Sequence, residues 1–220
     1  MKIQFENFVI GYKNNTLIEP INLIIKSGQW VGIFGDNGLG KSTLLKSIIG
    51  ITRPLSGNIL VNNMEVKKNI DSIGYFPQEK DLNINDCLSG YSLIKNSFQP
   101  NKWGLPIFNC IVKNKINSLS QLTEISDYIK KPFNILSGGQ KKKIMLAQVL
   151  INSPKLILLD EPLSQLDKEY KIKFMTILKK QHMANKFTLL IISHEKDDII
   201  NMLDCIINFD EKKINYEEAV

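Results

Sequence analysis

The segment GDNGLGKST, residues 35–43, constrains what this chain can fold into more than any other part of the sequence. Its glycines, Gly35, Gly38 and Gly40, allow the backbone to turn tightly and to point successive amides at an anion. The apolar run 30–34 precedes the loop, and a stretch with a helical period follows it. A strand, a glycine-rich loop and a helix in this order predict a site for a nucleoside triphosphate.

The polar side chains of the loop fit the same ligand. Lys41 supplies a positive charge for the β- and γ-phosphates, and the Ser42 hydroxyl is a hard oxygen ligand for Mg²⁺. The helix that begins near Lys41 adds its positive N-terminal end. The predicted nucleotide-binding residues of the loop are Gly35, Asp36, Asn37, Gly38, Leu39, Gly40, Lys41, Ser42 and Thr43.

An acidic pair stands at the end of a second apolar strand. Residues 156–159 are LILL, and Asp160 and Glu161 follow them. Because α/β sheets bind ligands at the carboxyl ends of their strands, Asp160 can hold the magnesium ion that bridges the phosphates. Two adjacent carboxylates repel each other, so we interpret Glu161 as a general base for the attacking water. The alternative is a pair of solvated loop acids.

The remainder of the chain predicts an α/β fold with one insertion. Strands and helices alternate after residue 139, which favours a mostly parallel sheet covered by helices on both faces. The predicted elements are strand 2–10 at a sheet edge, strands 17–26 and 30–34, helix 42–49, helix 139–152, strand 156–160, helix 166–182, strand 187–193, helix 195–202 and strand 205–209. Residues from about 80 to 135 are polar and interrupted by proline and glycine, and they predict a small helical insertion.

Composition excludes several classes of protein. No run approaches the roughly 18 to 20 apolar residues of a membrane-spanning helix, and the N-terminal residues lack the pattern of a signal peptide. Cys87, Cys110 and Cys205 are odd in number and far apart, so we interpret them as reduced thiols packed like small hydrophobic residues. The net charge is +6, and lysine supplies almost all of the positive charges, since Arg53 is the only arginine. This favours a phosphate ligand and proximity to a membrane over specific recognition of DNA.

The segment LSGGQ, residues 136–140, stands between the glycine-rich loop and the acidic pair. With it, the sequence resembles the ATP-binding cassette family, the nucleotide-binding subunits of ABC transporters, over essentially its whole length. The other parts that follow the family order are Tyr12, the loop at 35–43, Gln78, the acidic pair, the stretch SQLD at 164–167 and His194. The resemblance implies one ATPase domain, residues 1–220, with ATP and Mg²⁺ as cofactors.

The fold that the resemblance implies is that of a P-loop NTPase (RecA-like). It has a mixed sheet flanked by helices, an N-terminal antiparallel β subdomain, and a small helical subdomain at about 80–152 that carries the signature. Tyr12 is implied to stack on adenine, although packing at a sheet edge would also explain it. The implied catalytic residues are Glu161, His194 and Gln78, and the implied metal ligands are Ser42, Gln78 and Asp160.

The signature predicts a second anion site. Ser137, Gly138 and Gly139 open a helix, and one phosphate chain does not need two helix N-termini. In the family, the signature of one subunit closes on the γ-phosphate held by its partner, so the resemblance implies a dimer, most simply a homodimer, with two bound ATP molecules. Asp167 matches the loop that crosses this dimer, and a helix N-cap would explain it equally well. The nucleotide contacts implied here are Ser137, Gly138, Gly139, Gln140 and Asp167.

One departure from the family follows the signature. Lys141, Lys142 and Lys143 replace the usual glutamine and arginine pattern. We interpret this run as a solvated face that can also meet phosphate or lipid headgroups.

The resemblance implies an ATP-hydrolysing, energy-coupling subunit, bound to separate integral membrane permeases at the cytoplasmic face, with no nucleic acid partner. The run IGYFPQ is similar to that of zinc and manganese importers. The alternatives are an exporter cassette, a scaffold ATPase of membrane or iron–sulfur assembly, and a soluble ATPase of DNA repair, chromosome maintenance or translation. Repair cassettes need long coiled coils, and the segment between Gln78 and Ser137 is too short and too broken for them. The substrate, the direction of transport and the identity of the second subunit stay open.

Overall fold

The computed structural model describes residues 1–12, 15–78, 87–98, 108–197, 199–211 and 213–218. Contacts divide the chain into two compact units. The first contains Met1–Pro77, Lys155–Ser164 and Lys186–Val220, and the second contains Gln78–Pro154 and Gln165–Asn185. The second unit therefore includes the predicted helical insertion and, in addition, a later helix. The predicted arrangement of one domain with an insertion at about 80–152 stays a prediction.

The first unit holds all the strands of the described residues and one α-helix. The strands are β1 (Ile3–Val9), β2 (Gly11–Tyr12), β3 (Asn15–Thr16), β4 (Ile21–Ile25), β5 (Trp30–Phe34), β6 (Ser56–Val61), β7 (Met64–Glu65), β8 (Ile73–Phe76), β9 (Leu156–Asp160), β10 (Thr188–Ile192), β11 (Cys205–Asp210) and β12 (Lys213–Glu218), and the helix is α1 (Lys41–Ile48). The second unit holds α2 (Gly90–Ser97), α3 (Phe108–Leu122), α4 (Gly138–Leu150) and α5 (Lys168–Asn185).

The main sheet brings three chain segments to one edge. Its strand order is β12-β11-β5-β10-β9-β8, with β12 antiparallel and the other strands parallel. The strands β5, β9 and β10 are buried throughout because they are apolar on both faces. Ile192 of β10 is in register with Ile33 of β5 and with Asp160 of β9. The residues that follow these three strands therefore meet at the carboxyl edge of the sheet.

A second sheet, β4-β1-β6-β7, is antiparallel and confirms the predicted antiparallel β subdomain. Strand β1 pairs with both β4 and β6, so its prediction as an edge strand is wrong. Its alternating apolar residues Ile3 and Phe5 are buried in the core of the first unit. Alternation marks one buried face, and it does not show whether both edges of a strand are paired.

Two other sequence predictions are wrong. Residue 198 lies outside the described residues, and the described part of 195–202 contains a 3₁₀ turn at Ile200–Met202 in place of the predicted α-helix. Ser193 explains part of this result, because its hydroxyl accepts a hydrogen bond from the Glu195 backbone N–H at 3.2 Å and so competes with a helical start. Of the three free cysteines only Cys205 is buried, whereas Cys87 and Cys110 are exposed.

None of the helices in the described part of the chain has the length and apolar character that crossing a bilayer requires.

Candidate functional site

The glycine-rich loop follows β5 and leads into α1, as predicted. Gly35, Gly38 and Gly40 have φ angles of 135°, 84° and 98°, which side chains disfavour. A Cβ atom on Gly35 would lie 2.5 Å from the Phe209 carbonyl oxygen, so glycine is also required there by packing. Gly40 has no side chain to cap α1, and no acidic residue stands in its first turn. The first amides of α1 can therefore donate to an anion.

The other residues of the loop divide into an exposed rim and a buried base. Asp36 and Asn37 are exposed, whereas Leu39 packs against the apolar core and Thr43 is buried within α1. The loop therefore keeps its first half accessible and anchors its second half in the core.

Lys41 lies against the backbone of the loop. Its side chain is buried, and its Nζ donates hydrogen bonds to the carbonyl oxygens of Gly35 at 2.7 Å and Asp36 at 2.6 Å. Burial lowers the pKa of Lys41, and the nearby acids Glu161, Asp36 and Asp160 act in the opposite direction. The ammonium group thus stands at the phosphate-binding backbone, close to negative charge.

Ser42 and Asp160 fit the magnesium ion that the resemblance implies. The Ser42 hydroxyl donates to Asp160 Oδ1 at 3.0 Å, and Asp160 is fully buried at the end of β9. A hydroxyl and a carboxylate side by side are oxygen ligands of the kind that Mg²⁺ prefers, with water and phosphate oxygens to complete its coordination. The two residues can hold this ion.

Glu161 and His194 form a pair beside these ligands. Glu161 Oε1 and His194 Nε2 are 2.9 Å apart, and their side chains are 19% and 40% exposed. Because an ionised carboxylate can only accept, this hydrogen bond requires the tautomer of His194 that carries a proton on Nε2. Glu161 has a φ angle of 52°, and its backbone N–H donates to the Ile192 carbonyl at 3.2 Å. A left-handed glutamate costs about 1–3 kcal/mol, and such strain clusters at functional sites.

The sequence did not predict that Glu161 and His194 touch. Each residue follows a buried strand, but the local sequence does not indicate that β9 and β10 are neighbours in the sheet. Their shared register, in which Asp160 stands opposite Ile192, places Glu161 near His194.

The signature opens α4, in the second unit, with a complete capping box. The Ser137 hydroxyl accepts from the Gln140 backbone N–H at 3.3 Å, and Gln140 Oε1 accepts from the Ser137 N–H at 3.1 Å. Asp167 acts in the same way before α5, since its Oδ1 accepts from the Tyr170 N–H at 2.9 Å. Both local bonds are those of helix N-caps, and the nucleotide contacts of Ser137, Gly138, Gly139, Gln140 and Asp167 stay predictions.

The lysine run after the signature is not a solvated face, so this prediction is wrong. Lys142 and Lys143 are buried, and Lys141 is half-buried with its Nζ 5.8 Å from the centre of the Phe133 ring. Long aliphatic stems let lysines cover apolar surface while their ammonium groups find partners. Lys143 forms an ion pair of 2.7 Å with Glu124.

The predicted roles of Gln78 and Tyr12 rest on the resemblance. Gln78 is half-buried and belongs to the second unit by its contacts. Tyr12 forms β2, which pairs with β3, and its side chain lies outside the described residues. Their roles stay predictions.

A glycine-rich loop and an acidic strand end on a mixed sheet in the first unit, and a helix that opens with LSGGQ in the second unit, are the features of an ATP-binding cassette. The family model described as ABC transporter matches residues 18–164. The chain belongs to this family and is an ABC transporter ATP-binding subunit.

Known relatives match nearly the whole chain. It is 32% identical over 219 residues to a probable ABC transporter ATP-binding protein of Cyanophora paradoxa, a match that covers 98% of this chain and 88% of that protein. It is 29% identical to the high-affinity zinc uptake system ATP-binding protein ZnuC of Bacillus subtilis, over 94% and 90% of the two chains. The solved structure of CbiO1 from Clostridium perfringens, part of the ABC transporter complex CbiONQ, superposes with a TM-score of 0.84 at 29% identity, over 99% of this chain and 88% of that one.

Proposed function

We propose that this chain binds Mg-ATP and hydrolyses it to ADP and phosphate in order to drive transport. The observation that carries the proposal is the juxtaposition of two pairs at one sheet edge. Ser42 of α1 and Asp160 at the end of β9 form a ligand pair for a metal ion. Glu161 and His194, which follow β9 and β10, form a hydrogen-bonded pair.

The residues divide the work as follows. Lys41 and the first amides of α1 bind the phosphates, and Lys41 exchanges its loop carbonyl partners for phosphate oxygens. A magnesium ion held by Ser42 and Asp160 would neutralise charge on the β- and γ-phosphates. Glu161 accepts the proton of the attacking water, a general-base contribution of roughly 10²- to 10⁴-fold. His194 orients the Glu161 carboxylate through the bond on Nε2.

The active unit that we propose is a dimer with ATP at its interface. The helix N-terminus at Ser137 is a second anion site that one chain does not need for its own phosphates. In the dimer, Ser137, Gly138 and Gly139 at this site would bind the γ-phosphate of the ATP held by the partner chain. Asp167 and Gln78 are proposed to contact the nucleotide site, and Tyr12 to stack on the adenine.

We further propose an importer subunit that binds permease subunits at the cytoplasmic face of the membrane. The identity with ZnuC over almost the full length of both chains supports a divalent metal such as zinc or manganese as cargo. The match to CbiO1, part of a transporter complex, supports association with other subunits.

The proposal is tested by purification of the chain from membranes in mild detergent, with mass identification of its partners and an ATPase assay of the complex. We expect permease subunits and Mg²⁺-dependent ATP hydrolysis that Lys41→Ala removes. Assembly factors in place of permeases would identify a scaffold ATPase, and ATP hydrolysis unaffected by Lys41→Ala would show that the site is misassigned.

A further inference from the structure

A cluster of residues in the second unit packs around the first turns of the signature helix α4. We call it the signature clamp and define it as Glu124, Gly139, Lys143 and Tyr170. Lys143 Nζ contacts Glu124 Oε2 at 2.7 Å and lies 5.2 Å from the centre of the Tyr170 ring. The same ring lies against Gly139, where a Cβ atom would come within 2.9 Å of its Cδ1 and Cε1 atoms.

The spacing along α4 explains this geometry. Gly139 and Lys143 are four residues apart, so they share one face of the helix, and Tyr170 covers that face. Gly139 gives the ring access to the helix backbone, and the Lys143 ammonium group lies over the same ring. The first turn of the signature helix is therefore fixed by a residue of α5.

The charge of Lys143 is difficult to explain by packing alone. Its side chain is 8% exposed, whereas that of Glu124 is 57% exposed. An apolar side chain would fill the same space without the cost of removing an ammonium group from water. The charge instead secures two partners, the Glu124 carboxylate and the Tyr170 ring. Glu124 adopts a left-handed φ of 55° just after α3, so that the pair also ties α3 to α4.

Tyr170 is connected in turn to Asp167. The Tyr170 backbone N–H donates to Asp167 Oδ1 at 2.9 Å, so the ring and the cap belong to one rigid first turn of α5. Tyr170 therefore contacts Gly139 through its ring and Asp167 through its backbone. The clamp thus links the signature to Asp167 within the second unit.

We propose that Tyr170 and Lys143 are positioning residues that hold the signature helix and Asp167 ready for the nucleotide bound by a partner chain. This inference rests on the proposed ATP-driven dimer. Neither residue needs to touch the nucleotide, because the ring and the ammonium group act through the backbone of Gly139 and through the cap at Asp167.

The test compares variants of the clamp with a matched control on α5. Tyr170→Ala and Lys143→Met remove the ring and the charge, and Glu124→Gln removes the charge of an exposed partner with little risk to folding. Lys173→Met is the control, because Lys173 forms an exposed ion pair of 2.6 Å with Glu169 on the same helix. Each protein is titrated with a fluorescent ATP analogue, sedimented with ATP in EDTA, and assayed for kcat and KM.

We expect Tyr170→Ala and Lys143→Met to weaken ATP-driven dimerisation and to lower kcat by about tenfold. We expect Glu124→Gln to weaken dimerisation less and to lower kcat by about threefold. Binding of the analogue to the monomer should stay at the wild-type value, because Lys41 and Ser42 are unchanged. Lys143→Arg and Tyr170→Phe, which keep the charge and the ring, should restore most of the dimerisation, and Lys173→Met should match the wild type.

The inference is overturned if Glu124→Gln and Lys143→Met dimerise and turn over like the wild type. It is also overturned if the variants lose monomer nucleotide binding and thermal stability in parallel, because the clamp would then serve folding alone. A wild-type protein that neither dimerises with ATP nor hydrolyses it would instead contradict the proposed function.

Discussion

The N-termini of α1 and α4 are both predicted to bind anions, but they are built in different ways. At α1 the cap is a glycine without a side chain, a buried lysine donates to carbonyl groups of the loop, and the Ser42 hydroxyl donates to Asp160. At α4 the cap is a closed box of Ser137 and Gln140, and the nearby Lys143 is committed to Glu124 and Tyr170. We propose that the first is a complete phosphate site and that the second binds a ligand held by another chain.

The largest expected effect is on the complete site. Lys41→Ala removes the ammonium group that lies on the loop backbone, and we expect ATP affinity to fall by about 100-fold or more. Titration with a fluorescent ATP analogue measures it, with Lys46→Ala on the same helix as control. If Lys41→Ala binds ATP with wild-type affinity, Lys41 does not contribute to a phosphate site at the N-terminus of α1.

The two glycines of the signature, at the start of α4, have different surroundings. Gly139 faces Tyr170, whereas a Cβ atom on Gly138 would meet nothing within 4 Å. We expect Gly139→Ala to destabilise the protein by about 1–3 kcal/mol through overpacking. Gly138→Ala should be neutral or slightly stabilising, since alanine favours helix. Thermal unfolding without nucleotide gives both values, and equal effects would contradict the packing of Tyr170 on Gly139.

Two variants of Asp167 distinguish its role as a helix N-cap from its proposed contact with the nucleotide. Asp167→Ala removes the hydrogen bond to the Tyr170 N–H, and we expect a loss of about 1 kcal/mol of unfolding free energy. Asp167→Asn keeps an oxygen acceptor, so its stability should be close to the wild type. A loss of ATP-driven dimerisation in Asp167→Asn would then report the charge and its nucleotide role. Full stability of Asp167→Ala in chemical unfolding would exclude the cap.

The smallest effect is a pH dependence at the clamp. The hydrogen bond and the charge of Lys143 lower the pKa of Glu124 below its ordinary value of 4.5. A carboxyl group whose pKa is lowered on folding stabilises the protein above its unfolded pKa, and this contribution is lost as the pH falls through the folded value. Wild type should therefore exceed Glu124→Gln in stability at neutral pH and converge with it in acid. A constant difference from neutral pH into acid would contradict the pair.

The same comparison explains what could be predicted from sequence. The loop at 35–43, β5, α1 and the acidic end of β9 are specified by neighbouring residues, and all of these elements formed where expected. The burial of Lys142 and Lys143 was predicted wrongly, because it depends on residues far away in sequence such as Glu124 and Tyr170. Strand β12 was missed, because its alternating Ile214 and Tyr216 stand among charges and gain their meaning only by pairing with β11.

The contact of Glu161 with His194 belongs to this second class. Local sequence indicates a carboxylate after one strand and an imidazole after another, and the order of the strands in the sheet decides that they meet. The chemical types in the site could therefore be predicted, and their pairing could not.

Glu161→Gln tests whether Glu161 is the general base for ATP hydrolysis. Glutamine keeps the shape and a hydrogen-bonding side chain toward His194 but cannot accept a proton from water. We expect hydrolysis to slow by roughly 10²- to 10⁴-fold while Mg-ATP binding survives, so that gel filtration shows a trapped dimer. Asp160→Asn, by contrast, should weaken Mg²⁺-dependent binding itself. Wild-type hydrolysis by Glu161→Gln would contradict the account and leave His194 as the better candidate for the base.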